Sequence, residues 1–147
     1  MTSIKATLGL LLAVVLAGAF AVAGSASPRS GDLHVTKDCA EYNFGAGEHC
    51  TIQLSSLNAI ARDMQVVYAS AAGATSLNSD LVLDGPGNND AFGHVTLDFQ
   101  TLSGEVTFSG GTGWFSGFHA RVDVTHVSGT LWRWDGTYSF TPPGHDR

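Results

Sequence analysis

Phe118-His119-Ala120-Arg121-Val122-Asp123-Val124-Thr125-His126, followed after a short gap by Leu131-Trp132-Arg133-Trp134-Asp135-Gly136-Thr137-Tyr138-Ser139-Phe140, decides how the chain is read. In the first stretch Ala120, Val122 and Val124 share one parity, and His119, Arg121, Asp123 and Thr125 the other. In the second, Trp132, Trp134, Tyr138 and Phe140 stand against Arg133, Asp135, Thr137 and Ser139. Successive side chains of a strand point to opposite faces, so both stretches read as half-buried strands with one apolar and one wet face. A three-residue loop, Val127-Ser128-Gly129, places glycine at the left-handed position such loops require. That register sets Asp123 opposite Arg133 and Arg121 opposite Asp135. Opposite charges facing each other on a sheet are worth roughly 0.2–1 kcal/mol. These four residues therefore read as a surface ladder rather than a catalytic cluster.

The same alternation recurs upstream. Candidate strands are Leu33–Lys37, Cys50–Leu54, Met64–Ser70, Asn78–Asp84, Phe92–Phe99, Glu105–Ser109, Trp114–His126 and Leu131–Phe140. Val95, Leu97 and Phe99 share a face, and Leu81 and Leu83 oppose Asp80 and Asp84. A four-residue loop over Thr101 to Gly104 pairs Phe99 with Val106 and Leu97 with Phe108. Turn-rich runs separate the strands, notably Asp84 to Asp90 and Ser109 to Gly113. Ser55 to Asp63 reads as one helical turn. Short strands, short connections and no long amphipathic helix predict an all-β fold, a single domain over residues 27–147.

Before that domain, Lys5 precedes an apolar run from Leu8 to Ala23, and small residues lead to Gly24-Ser25-Ala26 with Pro28 beyond. This is the layout of a cleaved secretory signal peptide over residues 1–26. The run is shorter than the ~20 residues a spanning helix needs. The expected destination is outside the cell or the periplasm, with no stable membrane association after cleavage. Seven basic residues face thirteen acidic ones, a formal net charge of −6, and losing Lys5 makes the remainder more negative. With no Lys/Arg cluster, nucleic acid is not an expected partner. Cys39 and Cys50, the two cysteines present, are expected to form a disulfide in an oxidising compartment. Closing a loop of that size is worth ~3 kcal/mol by chain entropy. Asp38, Cys39, His49 and Cys50 do not have zinc-site spacing, and no metal or cofactor is expected.

Other chemistry is weakly signalled. His34, His94, His119, His126 and His145 show neither helical metal-ligand spacing nor convergence, and read as surface or rim residues. Gly113-Trp114-Phe115-Ser116-Gly117 misses a hydrolase elbow by one position. Gly110-Gly111-Thr112-Gly113 precedes a strand rather than a helix and has no following lysine. It reads as a tight turn, not a phosphate loop. The oxygen-rich Asp84–Asp90 loop lacks the ligand alternation of a calcium loop and reads as a plain turn. No catalytic residue is assigned.

The run Phe108-Ser109-Gly110-Gly111-Thr112-Gly113-Trp114-Phe115-Ser116-Gly117-Phe118-His119-Ala120 resembles the glycine turn and strand of dirigent proteins and of the allene oxide cyclase barrel-like superfamily. The ending Trp132 to Phe140 is similar to that of bacterial secreted members, and the likeness covers about Asp80 to Phe140. It implies an eight-stranded antiparallel up-and-down β-barrel, often a homotrimer, around a hydrophobic cavity. Plant members steer cyclisation or coupling of lipophilic intermediates. In such a barrel the interior holds Tyr68, Leu81, Leu83, Val95, Leu97, Phe99, Phe108, Phe118, Trp132, Trp134 and Tyr138. Tyr68, Phe99, Phe118, Trp132, Trp134 and Tyr138 are the candidate ligand-binding residues, and a filled interior is favoured over a hollow one. Binding of an apolar small molecule without catalysis is the favoured function. A cyclase or isomerase needs an ionisable side chain facing inward, which this face assignment does not supply. A third reading is an extracellular interaction protein acting through its acidic rim.

Overall fold

The computed structural model describes residues 29–142. The segment expected to be a signal peptide, residues 1–26, and His145 lie outside them. Eight antiparallel strands form a closed barrel in simple sequence order: β1 (Ser30–Asp38), β2 (His49–Ser55), β3 (Gln65–Tyr68), β4 (Ser76–Asp84), β5 (Asp90–Asp98), β6 (Ser103–Gly111), β7 (Phe118–Ser128) and β8 (Leu131–Phe140). β1 pairs with β8 from Ser30↔Ser139 to Asp38↔Leu131, which closes the sheet. All eight expected strands are present. Two local readings are corrected. Trp114 to Gly117 is not strand, because Gly113–Phe115 forms a 3₁₀ turn and β7 begins at Phe118. Ser55 to Asp63 forms turns rather than a helix, with Leu57 and Ile60 tucked inward.

Parity holds around the barrel. Leu33, Val35, Leu81, Leu83, Val95, Val106, Phe108, Phe118, Val122, Val124 and Trp134 are buried inside. An eight-stranded barrel has just enough interior for such side chains. One end is plugged by Leu57, Ile60, Met64 and Phe115. From there an aromatic column runs inward: Phe115 to Phe118 at 5.4 Å, Phe118 to Phe108 at 5.4 Å and Phe108 to Trp134 at 5.7 Å between ring centres. The opposite end, where β1 finishes and β8 starts, is the mouth.

Both expected hairpin registers are overturned, while their inward faces stand. In the last hairpin Asp123 faces Asp135, Thr125 faces Arg133 and Arg121 faces Thr137. A bulge between His126 and Ser128 leaves a turn over Gly129 and Thr130, with Gly129 still left-handed at φ 54°. The like-charged pair is tolerated because Asp135 turns to Arg133 (2.8 Å) and His34 (2.7 Å). Partial burial pushes the Asp135 carboxyl up, but hydrogen bonds from His34 and Arg133, with their charges, hold it below its usual value. Arg121 pairs instead with Glu105 on β6 at 2.7 Å. In the β5–β6 hairpin Val95 faces Val106 and Asp98 faces Ser103. Leu102 takes a left-handed φ of 55°, a conformation rare for a bulky residue.

The interior tolerates no side chain at Gly136. A Cβ there would lie 2.0 Å from the Arg121 carbonyl oxygen and 2.7 Å from the Val122 Cα. Both are backbone atoms of the neighbouring strand, so the strands themselves would have to separate. Overpacking of this kind costs about 1–3 kcal/mol. Gly136→Ala is expected to lower the melting temperature by roughly 4–8 °C per kcal/mol. Gly45→Ala, whose Cβ would meet only the Glu48 side chain at 3.5 Å, serves as the neutral control. Calorimetry showing the two variants melting together would remove the close approach of β7 and β8.

Candidate functional site

The connection from β1 to β2 folds across the mouth and is fastened three ways. Cys39 and Cys50 form a disulfide, the Cys39 N–H donates to the Thr130 carbonyl at 2.8 Å, and the Ala72 N–H donates to the Phe44 carbonyl at 2.8 Å. The disulfide joins the first residue of the loop to the second residue of β2. Phe44 adopts φ 66° and is 56% exposed. A bulky residue held in that region signals conformational strain that the surroundings impose. Its ring packs on Tyr42 at 5.0 Å and edge-on to Phe99 at 5.9 Å, and Tyr42 packs on Tyr68 at 5.2 Å. These rings wall a recess of about 300 Å³, into which Lys37, Leu77, Leu97 and Trp132 also face.

Lys37 stands at the base of this recess and is absent from the interior expected on sequence. It is 3% exposed, and among the described residues it is the one buried ionic side chain with an apolar row for neighbours. Its ammonium donates to the Tyr68 hydroxyl at 2.5 Å. The Tyr68 hydroxyl in turn lies 3.6 Å from Cys50 Sγ. The Lys37 nitrogen sits 5.0 Å from the centre of the Trp134 ring and 5.2 Å from that of Tyr68. Among the described residues no carboxylate forms an ion pair with it. Asp38, next in sequence, points outward, where it accepts from the Ala40 N–H (2.9 Å) and the Thr130 hydroxyl (2.6 Å).

Desolvation decides the state of the amine. A ring face attracts a buried cation by about 2 kcal/mol, whereas removing an ion from water costs several. Burial accordingly pulls Lys37 down from 10.5 to about 7. Burial pushes the Tyr68 hydroxyl up, and the nearby Tyr42 adds to this, so Tyr68 remains a protonated donor. Tyr42 is raised by burial and then by Glu48, and its buried hydroxyl has no partner among the described residues. The recess thus offers aromatic walls and an amine–phenol pair at its base.

Of the expected ligand-binding residues, the fold brings Tyr68, Phe99 and Trp132 together around the recess. Trp134 lies beneath Lys37 and is wholly buried. Phe118 and Tyr138 belong to the far half, where each packs against Phe140. The inward position of Lys37 carries a sequence signal, since it shares the parity of Leu33 and Val35; Tyr42 and Phe44 lie in a loop and carry none. Four histidines are held by neighbours: His34 bonds Asp135 (2.7 Å), His94 bonds Asp80 (2.8 Å) and Asn78 (2.6 Å), His49 bonds Glu41 (3.1 Å), and His126 bonds the Gly129 carbonyl (2.8 Å). The Asp84–Asp90 loop is tied to the glycine turn, with Asn89 accepting from the Trp114 N–H at 2.8 Å and the Asn88 carbonyl accepting from the Thr112 hydroxyl. Compared with known proteins, the chain matches no family model, no curated protein and no solved structure.

Lys37 makes stability depend on pH in a definite direction. Its folded value is about 7 and its ordinary value 10.5, so between those values the unfolded chain holds more protons and stability rises with pH. Near and above pH 10 the raised Tyr68 value acts oppositely, because the unfolded phenol ionises first. Lys37→Met removes the rising limb. Chemical denaturation is expected to show the wild type gaining a few kcal/mol from pH 7 to 10, at about 1.4 kcal/mol per pKa unit, with the variant flat and the more stable of the two at pH 7. Parallel profiles would mean that the folded ammonium has a counter-charge.

Proposed function

We propose that this chain is an exported barrel that binds an apolar small molecule at its mouth, with the molecule's polar end on Lys37 and Tyr68. The observation that carries this reading is the aromatic-walled recess of about 300 Å³, open to solvent above and closed below by a filled core. Ligand sites are concave, mostly apolar and furnished with a few placed polar groups, over a range of about 300–1,000 Å³. The Cys39–Cys50 disulfide fits an oxidising compartment, either extracellular or periplasmic. The closed eight-stranded barrel supports kinship with the allene oxide cyclase barrel-like and dirigent superfamily, to which the Gly110–Gly113 turn is similar.

Lys37 also favours a second reading. It is an ionisable side chain facing inward, the feature a cyclase or isomerase requires. A lipophilic intermediate held in the recess by shape would meet an amine and a phenol as its proton-handling groups. This reading differs from simple binding in requiring turnover.

N-phenylnaphthylamine, a nonpolar fluorophore, tests the site directly. It is expected to bind saturably with one molecule per chain and to quench the fluorescence of Trp132 by energy transfer. Phe99→Ala removes a wall and is expected to weaken binding about tenfold, a loss of about 1.4 kcal/mol. Leu54→Ala, on a residue exposed on the outside of the barrel, should leave binding unchanged. Absence of saturable binding, or equal effects of the two substitutions, would rule out the mouth as the binding site.

A further inference from the structure

We propose that Lys37 captures aldehydes or ketones in the mouth recess as a reversible imine, with Tyr68 as its proton-transfer partner. The inference rests on the binding reading above and specifies its ligand class. Four features of the site carry it. The lysine is buried in an apolar row, it has no carboxylate partner among the described residues, its nitrogen is 2.5 Å from a phenol, and it lines a recess that opens to solvent. A lysine placed to hold an anion would work best as a permanent ammonium. Here desolvation disfavours the charge, and at neutral pH a large fraction of the amine carries a free electron pair. Desolvation of this kind is how proteins turn lysine into a nucleophile for carbonyl carbon.

The chemistry balances without any oxidant or reductant. The nitrogen lone pair attacks the carbonyl carbon, the C=O π pair moves to oxygen, and a proton passes from nitrogen to that oxygen to give a carbinolamine. The nitrogen lone pair then forms the C=N bond as the C–O bond breaks. Tyr68 donates a proton to the departing hydroxyl and recovers one from nitrogen, so a single water is released toward the mouth. One amine hydrogen leaves in that water, and the other replaces the proton that Tyr68 gave up. Because folding keeps Tyr68 protonated, the phenol is a donor throughout the physiological range. The recess holds about ten groups of water size at about 30 Å³ each, which suits a medium-length aliphatic carbonyl compound.

Sequence makes the test unambiguous. Lys5 and Lys37 are the lysines of the entire chain, so beyond the leader the side-chain amine under test has no competitor of its own kind. The protein is incubated with nonanal and sodium cyanoborohydride at pH 7, and the adduct is located by peptide mass spectrometry. The expected result is one nonyl group on Lys37, formed at least tenfold faster than on Nα-acetyl-lysine in the same solution and blocked by excess N-phenylnaphthylamine. Lys37→Arg keeps a cation but forms no imine. It should remain folded by circular dichroism and gain no adduct at that position. Tyr68→Phe is expected to slow adduct formation by a larger factor than it weakens fluorophore binding.

The outcomes separate the two claims. Fluorophore binding with Lys37 no more reactive than Nα-acetyl-lysine overturns the imine and leaves the binding site standing. Tight binding of nonanoate with no nonanal adduct likewise overturns it, and assigns Lys37 to an anion. Failure of both fluorophore binding and adduct formation removes the site itself. Unchanged adduct rate in Tyr68→Phe would strike out the phenol's role alone.

Discussion

Closure of the sheet is the constraint on which everything else rests. Once β1 pairs with β8, every strand has one row of side chains that cannot reach solvent laterally, and each row is fixed by parity. Shifting β1 by one residue would bring Lys37 out but also Leu33 and Val35, both now almost fully buried. Exposing two such side chains costs about 1.5–3 kcal/mol each. A buried lysine can shed most of its penalty by giving up its proton, an option the two apolar residues lack. The apolar row therefore wins, and the amine is carried inside with its chemistry altered.

The same parity explains why no counter-charge comes with it. Asp38 is the adjacent carboxylate, but an adjacent residue faces the other side of the sheet. Its oxygen is occupied by Ala40 and Thr130, where it helps fix the loop and the β7–β8 turn against each other. The disulfide and the Cys39–Thr130 hydrogen bond act on the same junction. The structure thus stiffens the rim of the recess with the groups that elsewhere would have neutralised its base. Strain at Phe44 belongs to the same arrangement, since its ring joins the aromatic wall through Tyr42 and Phe99.

What the sequence made legible follows from what alternation encodes. Strand existence and sidedness come from period two, and they are right at Val95 and Leu97, at Val122 and Val124, and at Trp134. Register depends on turns, and there two quiet residues decided matters. Val127 bulges from β7, and Leu102 turns left-handed without being glycine or asparagine; neither has a side chain that announces it. Charge complementarity also misled at Asp123 and Asp135, because the partners that neutralise Asp135 are His34 from across the barrel closure and Arg133 in its own strand. Pairwise reasoning within one hairpin has no access to the strand on the other side. Lys37 is a different case. The pattern Leu33-His34-Val35-Thr36-Lys37 points it inward, against the general preference that keeps lysine outside.

The uneven filling of the barrel has a source in side-chain size along the inward rows. Toward the plugged end stand Phe108, Phe118 and Phe140, with Phe115 added from the 3₁₀ turn. Toward the mouth the corresponding inward positions include Cys50, Leu77 and Gly104, the last level with Leu97 and Val124 on its neighbours. Where Cys50 and Gly104 fall among the larger Tyr68, Leu97 and Trp132, the mouth keeps a space that the barrel cannot close, because strand spacing is fixed by the hydrogen-bond ladder. That space forfeits dispersion contacts along its walls, and an unpaired lysine at its base adds a further penalty. Neither feature assists folding. Both become useful together once a molecule occupies the recess, since an apolar body restores the missing contacts and a carbonyl end consumes the amine's lone pair.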